Sequence, residues 1–135
     1  MHDIDWKEIL GWDEKHLSQA RAIGYLYYKQ GAFDIAALCF EALLTCNPHA
    51  LYELQTLGAI YLDMNRAKEA LMLFDRALNI DPAHEPTLFN RCKALFAMGD
   101  RPAALETAAL LEKSRDPRIA KSARSWSLAH SGQGV

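Results

Sequence analysis

Long apolar runs are missing from this chain of 135 residues. The longest uncharged one, Ile35 to Phe40, falls far short of the roughly 20 residues needed to cross a bilayer, so no membrane insertion is expected. No leader is expected either. MHDIDWKEIL places Asp3, Asp5 and Glu8 where a secretory signal needs positive charge and then an apolar core, which points to a cytoplasmic protein. Cysteine is scarce, and Cys39, Cys46 and Cys92 form no CxxC pair. The first two lie seven residues apart on an expected helix, about 10 Å along its axis, too far for a disulfide. Reduced, buried thiols are the expectation. No glycine-rich phosphate loop and no GxSxG occurs, and the five histidines include no pair four residues apart on a helix. Cys46 and His49 flank Pro48 without further ligands to complete a zinc site. No metal, no cofactor and no enzymatic activity are expected.

Charge of one sign is also absent in bulk, the net being −2, but the ends differ. Residues 1–16 carry five acids against two lysines, net −3; residues 112–135 carry five cations against two acids, net +3. Such ends attract each other, or their counterparts in a second copy, only weakly when exposed. Nucleic acid is not an expected partner, because the basic stretch has no accompanying aromatic platform.

What is present is a repeat. In Leu51 to Pro82 the residues Leu54, Leu57, Gly58, Tyr61, Ala70, Phe74, Ala77 and Pro82 have helical spacing. A shift of 34 residues back finds Ala20, Ile23, Gly24, Tyr27, Ala36, Phe40, Leu43 and Pro48. The same shift forward finds Leu88, Leu95, Gly99, Ala104 and Leu111, with Cys92 in the place of the first-helix glycine and Ala108 in the place of the phenylalanine. This 34-residue pattern resembles the tetratricopeptide repeat, a helix-turn-helix unit. The expected fold is therefore all-α, a right-handed superhelix of three such repeats forming one domain. Its parts are a short N-terminal helix in 1–16, repeats at 17–50, 51–84 and 85–116, a capping helix at 117–130 and a frayed tail at 131–135.

The boundaries have local causes. Asp5 and Glu8 read as a capping pair for the N-terminal helix, whose apolar face is Trp6, Ile9 and Leu10 and which Gly11 ends. Asp13 caps the next helix, running to about Gln30. Gly31, Asn65 and Gly99 tolerate the left-handed turn between the two helices of each repeat. Second helices are expected at about Phe33–Thr45, Ala67–Asn79 and Arg101–Lys113. Asn47-Pro48, Asp81-Pro82 and Asp116-Pro117 close the repeats. From Pro117 to about Ala129 a last helix buries Ile119, Ala123 and Trp126, as the exposed end of a solenoid requires.

Stacked repeats turn positions 2, 5, 9 and 12 of each first helix into a concave wall: Ser18, Arg21, Tyr25 and Tyr28, then Tyr52, Gln55, Ala59 and Leu62, then Pro86, Phe89, Lys93 and Phe96. Five of these twelve are aromatic, more than a solvated wall requires, and rigid rings are the usual anchors of a bound segment. A single ring can instead turn inward between repeats. The expected peptide-binding set is Arg21, Tyr25, Tyr28, Tyr52, Leu62, Phe89, Lys93 and Phe96, with Arg21 and Lys93 able to hold an acidic or carbonyl group. Arg118 and Lys121 on the last helix are a solvated face or a secondary docking strip for an acidic partner.

Many repeat domains of this type clamp the C-terminal carboxylate of heat-shock proteins with Lys, Asn and Arg at fixed positions. Here those positions hold Arg21, Tyr25, Thr56, Pro86 and Asn90, of which Arg21 alone fits that role. Between Ala20 and Ala104 the chain is similar to the small cytoplasmic tetratricopeptide chaperones of bacterial type III secretion. Gly24-Tyr25, Tyr28, Gly31, Ala36, Phe40 and Leu43 resemble their first repeat, Leu57-Gly58-Ala59 with Met64-Asn65 their second, and Pro86 and Phe89 the start of their third. That resemblance implies a non-catalytic chaperone holding an extended segment of a translocator or needle-type protein in its groove, with a homodimer as a further candidate state. The alternative is a scaffold that joins folded proteins.

Overall fold

In the computed structural model the described residues are Glu8 and 11–131. They form seven helices and no strand: α1 Glu14–Lys29, α2 Phe33–Cys46, α3 Leu51–Asp63, α4 Ala67–Ile80, α5 Glu85–Ala97, α6 Arg101–Leu111 and α7 Pro117–Ser131. The expected N-terminal helix with its Asp5 cap and its Trp6, Ile9 and Leu10 face lies outside the described residues, as does the tail beyond Ser131. None of the described helices is long and apolar enough to cross a membrane.

Helices α1 and α6 start where an aspartate side chain satisfies a free backbone amide. Asp13 accepts from the His16 amide at 3.1 Å while the His16 ring reaches back to the Asp13 amide at 3.4 Å, a reciprocal cap with histidine in the place usually taken by Glu. That bond to the His16 amide, with the imidazole beside it, holds the Asp13 carboxyl below its ordinary pKa. Asp100 caps α6 through the Ala103 amide at 3.3 Å, and Pro86 and Pro102 occupy first-turn positions where a missing N–H costs nothing. The three turns that join the helices of each pair are built alike: Gly31, Asn65 and Gly99 have φ of 79°, 61° and 80°. Helix α6 ends at Leu111 rather than Lys113, because the Ser114 amide turns back to the Leu111 carbonyl at 3.0 Å and its hydroxyl then accepts from the Asp116 amide.

Within the first two pairs the helices meet where α1 and α3 have no side chain. A Cβ on Gly24 would lie 2.9 Å from the Cys39 Cβ and 3.0 Å from the Phe40 ring. A Cβ on Gly58 would overlap the Phe74 ring. Phe40 and Phe74 are fully buried by this contact. The third pair solves the same packing problem the other way round. Ala108 replaces the ring, and the vacated space takes Cys92, buried, with its Sγ donating to the Ala104 carbonyl at 3.6 Å. At this contact the third pair thus has two small residues, Cys92 and Ala108, where the first two pairs have glycine and phenylalanine.

The core follows this stacking. Leu17, Phe40, Leu43, Leu54, Leu57 and Ile60 pack where α1 to α4 meet; Ala70, Phe74 and Ala94 join α4 to α5; Leu88, Cys92, Ala108, Leu111 and Ala123 join α5, α6 and α7. Of the three thiols only Cys92 is buried; Cys39 and Cys46 are half-buried because both lie on the flank of α2 beside its fully buried residues, which corrects the expectation of three buried thiols.

Gly58→Ala should destabilise the fold by about 1–3 kcal/mol in chemical denaturation, since the clash is with a ring locked in the core. Ala108→Phe should cost a similar amount alone and less when combined with Cys92→Gly; strict additivity in that cycle would show that the two sites do not share one space. Burial pushes the Cys92 thiol up to about 11. Iodoacetamide at pH 8 should therefore modify Cys39 and Cys46 in the folded protein while Cys92 reacts only after unfolding, as read by peptide mass spectrometry.

Candidate peptide-binding groove

The odd-numbered helices α1, α3, α5 and α7 stand side by side, and the faces they turn away from α2, α4 and α6 form one wall. Along it the twelve wall positions divide into two kinds. Five of the six residues at positions 5 and 12 fall at the seams between neighbouring first helices, and the sixth, Gln55, is half-buried. Arg21 Nε donates to the carboxylate of Glu53, a side chain on α3 that is only 4 % exposed. The Tyr28 hydroxyl donates to Asp63 Oδ2 at 2.6 Å, and Leu62 packs against the Ala70, Phe74 and Ala94 cluster. Phe89 and Phe96 both meet Trp126 of α7, with ring centroids 4.9 and 5.9 Å away, and His130 stacks on Phe96 at 4.5 Å.

Positions 2 and 9 remain open. Tyr25 and Tyr52 are 41 % and 45 % exposed. Ser18, Pro86 and Lys93 are exposed as well, and Ala59 is half-buried. Tyr25 is held edge-on to Tyr28, centroids 6.5 Å apart, with the Lys29 ammonium 5.3 Å over its ring. Tyr52 rests against Phe40, and Lys93 lies 5.4 Å from the centre of Phe89. The wall therefore presents two wettable rings, Tyr25 and Tyr52, and two cations, Lys29 and Lys93, while its phenylalanines lie under α7.

The seam tyrosine is fixed in its neutral form. Burial first, and then the bond to Asp63, raise the Tyr28 pKa well above that of free tyrosine. On the side of α3 that faces α2 and α4, Tyr61 is pushed up to about 12 by burial and by donating to Glu41, with the Arg66 guanidinium 4.5 Å over its ring. These hydroxyls act as donors within the fold and have no acid–base role near neutral pH.

The two docking residues expected on the last helix lie apart from the open rings. Arg118 is 92 % exposed, its Nε 3.6 Å from Asp116 Oδ1, and Lys121 is exposed. Sequence reasoning missed Glu53, Asp63 and Lys29. The first two are ordinary helix positions whose importance comes from the neighbouring repeat, and no local pattern marks them. Lys29 lies one turn beyond Tyr25 and was discoverable from that spacing.

A helix-turn-helix repeated three times with a left-handed turn residue every 34 positions has the period of the tetratricopeptide repeat, and residues 61–125, just under half of the chain, match the model of that repeat. The fold is that of tetratricopeptide-repeat proteins. Among curated proteins this repeat domain is 34% identical over 77 residues to the peroxisomal targeting signal receptor of Saccharomyces cerevisiae, covering 57% of the chain and 13% of that protein. The chain thus spans a small part of the curated relatives it matches. Among solved structures it superposes on the Yersinia enterocolitica type III secretion chaperone SycD in complex with a peptide of the translocator YopD, with a TM-score of 0.85, 17% identity, and coverage of 91% of this chain and 98% of that one. It superposes also on the first repeat domain of RPAP3 bound to an HSP90 peptide, with a TM-score of 0.78, 19% identity, and coverage of 89% and 97%. Both likenesses are of fold.

Arg21→Ala strands the Glu53 carboxylate in the wall and should destabilise the protein by about 1–3 kcal/mol in urea unfolding. Glu53→Gln, which keeps a hydrogen-bond acceptor, should cost less. A loss below about 0.5 kcal/mol for Arg21→Ala would place this pair among ordinary surface ion pairs.

Proposed function

We propose that this repeat domain is a non-catalytic chaperone that holds an extended segment of another protein along the wall formed by α1, α3 and α5, keeping an export substrate soluble in the cytoplasm. The observation that carries the reading is the pair of open rings, Tyr25 and Tyr52, standing on neighbouring first helices with their flanks supported by Tyr28 and Phe40. Rings held in this way offer large contact area at little further entropic cost. The fold shared with a chaperone that binds a translocator peptide supports a secreted client. A carboxylate-tail adaptor is the weaker reading, because Arg21, the residue best placed to grip such a carboxylate, is already paired with buried Glu53.

A scaffold joining folded proteins is the second reading, favoured by the exposed Arg118 and Lys121 on a helix that bears three cations and no acid. The two readings separate in a pull-down from native cells read by mass spectrometry. Tyr25→Ala/Tyr52→Ala, with helical content unchanged, should lose the client seen with the wild type, each ring contributing roughly 1–3 kcal/mol. If the same partners return with that variant and disappear with Arg118→Glu/Lys121→Glu, and the wild type binds no isolated peptide, the protein is a scaffold.

A further inference from the structure

At the third-repeat end of the wall a cleft of about 330 Å³ opens between the first turns of α5 and α7. Pro86, Phe89 and Ile119 make it apolar, Asn90 and Ser122 add polar groups, and Arg118 stands at its rim. Unlike the phenylalanine seam beside Trp126, this space is left unfilled by the chain.

We infer that the cleft receives a large apolar side chain of the bound segment, and that the residue next to it in that segment is Asp or Glu. The inference rests on the groove reading above, since Pro86 and Phe89 belong to the same wall. The apolar part follows from the lining. The acidic part follows from the charges around it. Asp116 is the one acid of the lining, and it is already engaged: it accepts from the Arg118 amide at 2.9 Å, which fixes the start of α7 and holds its carboxyl below the ordinary range. Arg118 itself makes only the long contact to Asp116 and keeps its guanidinium in solvent. Lys93, 5.4 Å from the Phe89 ring centre, approaches from α5, and Lys121 follows Arg118 one turn along α7, a helix with no acidic residue. A carboxylate beside the anchored side chain therefore meets two or three cations in place of one weakly held partner, and a guanidinium can grip it with two parallel bonds.

Random dodecapeptides displayed on phage, selected against the wild type, against Arg118→Glu/Lys121→Glu and against Tyr25→Ala/Tyr52→Ala, test this. The wild type should enrich peptides in which Leu, Met or Phe adjoins Asp or Glu. Synthetic copies of these should bind the charge-reversed protein at least tenfold more weakly by fluorescence anisotropy. Enriched peptides without an acidic excess, or bound equally by the charge-reversed protein, overturn the acidic cleft and leave the groove standing. Peptides that keep their affinity for the tyrosine variant overturn the groove and leave the cleft as a separate site. No enrichment at all overturns both. Concentration-dependent self-association that Arg118→Glu/Lys121→Glu removes would assign the cleft to a second copy of the chain and overturn the peptide assignment.

Discussion

The closest approach within each repeat, between a first helix and the helix that follows it, is the contact on which the remaining packing depends. At Gly24 and Gly58 it is made by a backbone without a side chain resting on a phenylalanine ring. At Cys92 it is made by a modest side chain resting on Ala108. The two sizes change in opposite directions without balancing, since Cys and Ala together are smaller than Gly and Phe, and interiors are packed too densely for either repeat to accept one residue of the other's pair cheaply. Once that separation is set, positions 5 and 12 of one first helix come within reach of the next. The Arg21 pair with Glu53, the Tyr28 bond to Asp63 and the Phe89 contact with Trp126 all follow from it.

Most of the helical framework was legible from local chemistry. Asp13, Gly31, Asn65, Gly99 and the Asn-Pro or Asp-Pro pairs act through backbone preferences that need no knowledge of the neighbouring repeat. The end of α6 was less legible. It depends on Ser114 folding back on the chain, and Lys113 has no feature that forbids helix. The residues upstream of Gly11 lie outside what the structure describes, apart from Glu8, so the helix expected there remains a reading of the sequence.

The wall was legible as a set and not residue by residue. Helical spacing assigns the twelve positions to one broad face, but that face spans both the seam and the open surface. Which of the two a residue occupies depends on what the adjacent first helix offers it. Arg21 goes to the seam because Glu53 is opposite; Phe89 and Phe96 go there because Trp126 is. Tyr25 and Tyr52 find no such partner and stay outside. Arg21, a cation assigned from sequence to a ligand, is thus consumed by a buried acid 32 residues away.

The placement of Phe89 and Phe96 beneath Trp126 has a bearing on how this wall meets water. Tyrosine, whose hydroxyl keeps one edge of the ring hydrated, is the aromatic residue left facing water on this wall, while the purely hydrocarbon rings of α5 are partly shielded by α7. Bare hydrocarbon rings in water adhere to one another more readily than hydroxylated ones. Leaving tyrosines outside and phenylalanines under α7 therefore lowers the tendency of this wall to adhere to the same wall of a second copy.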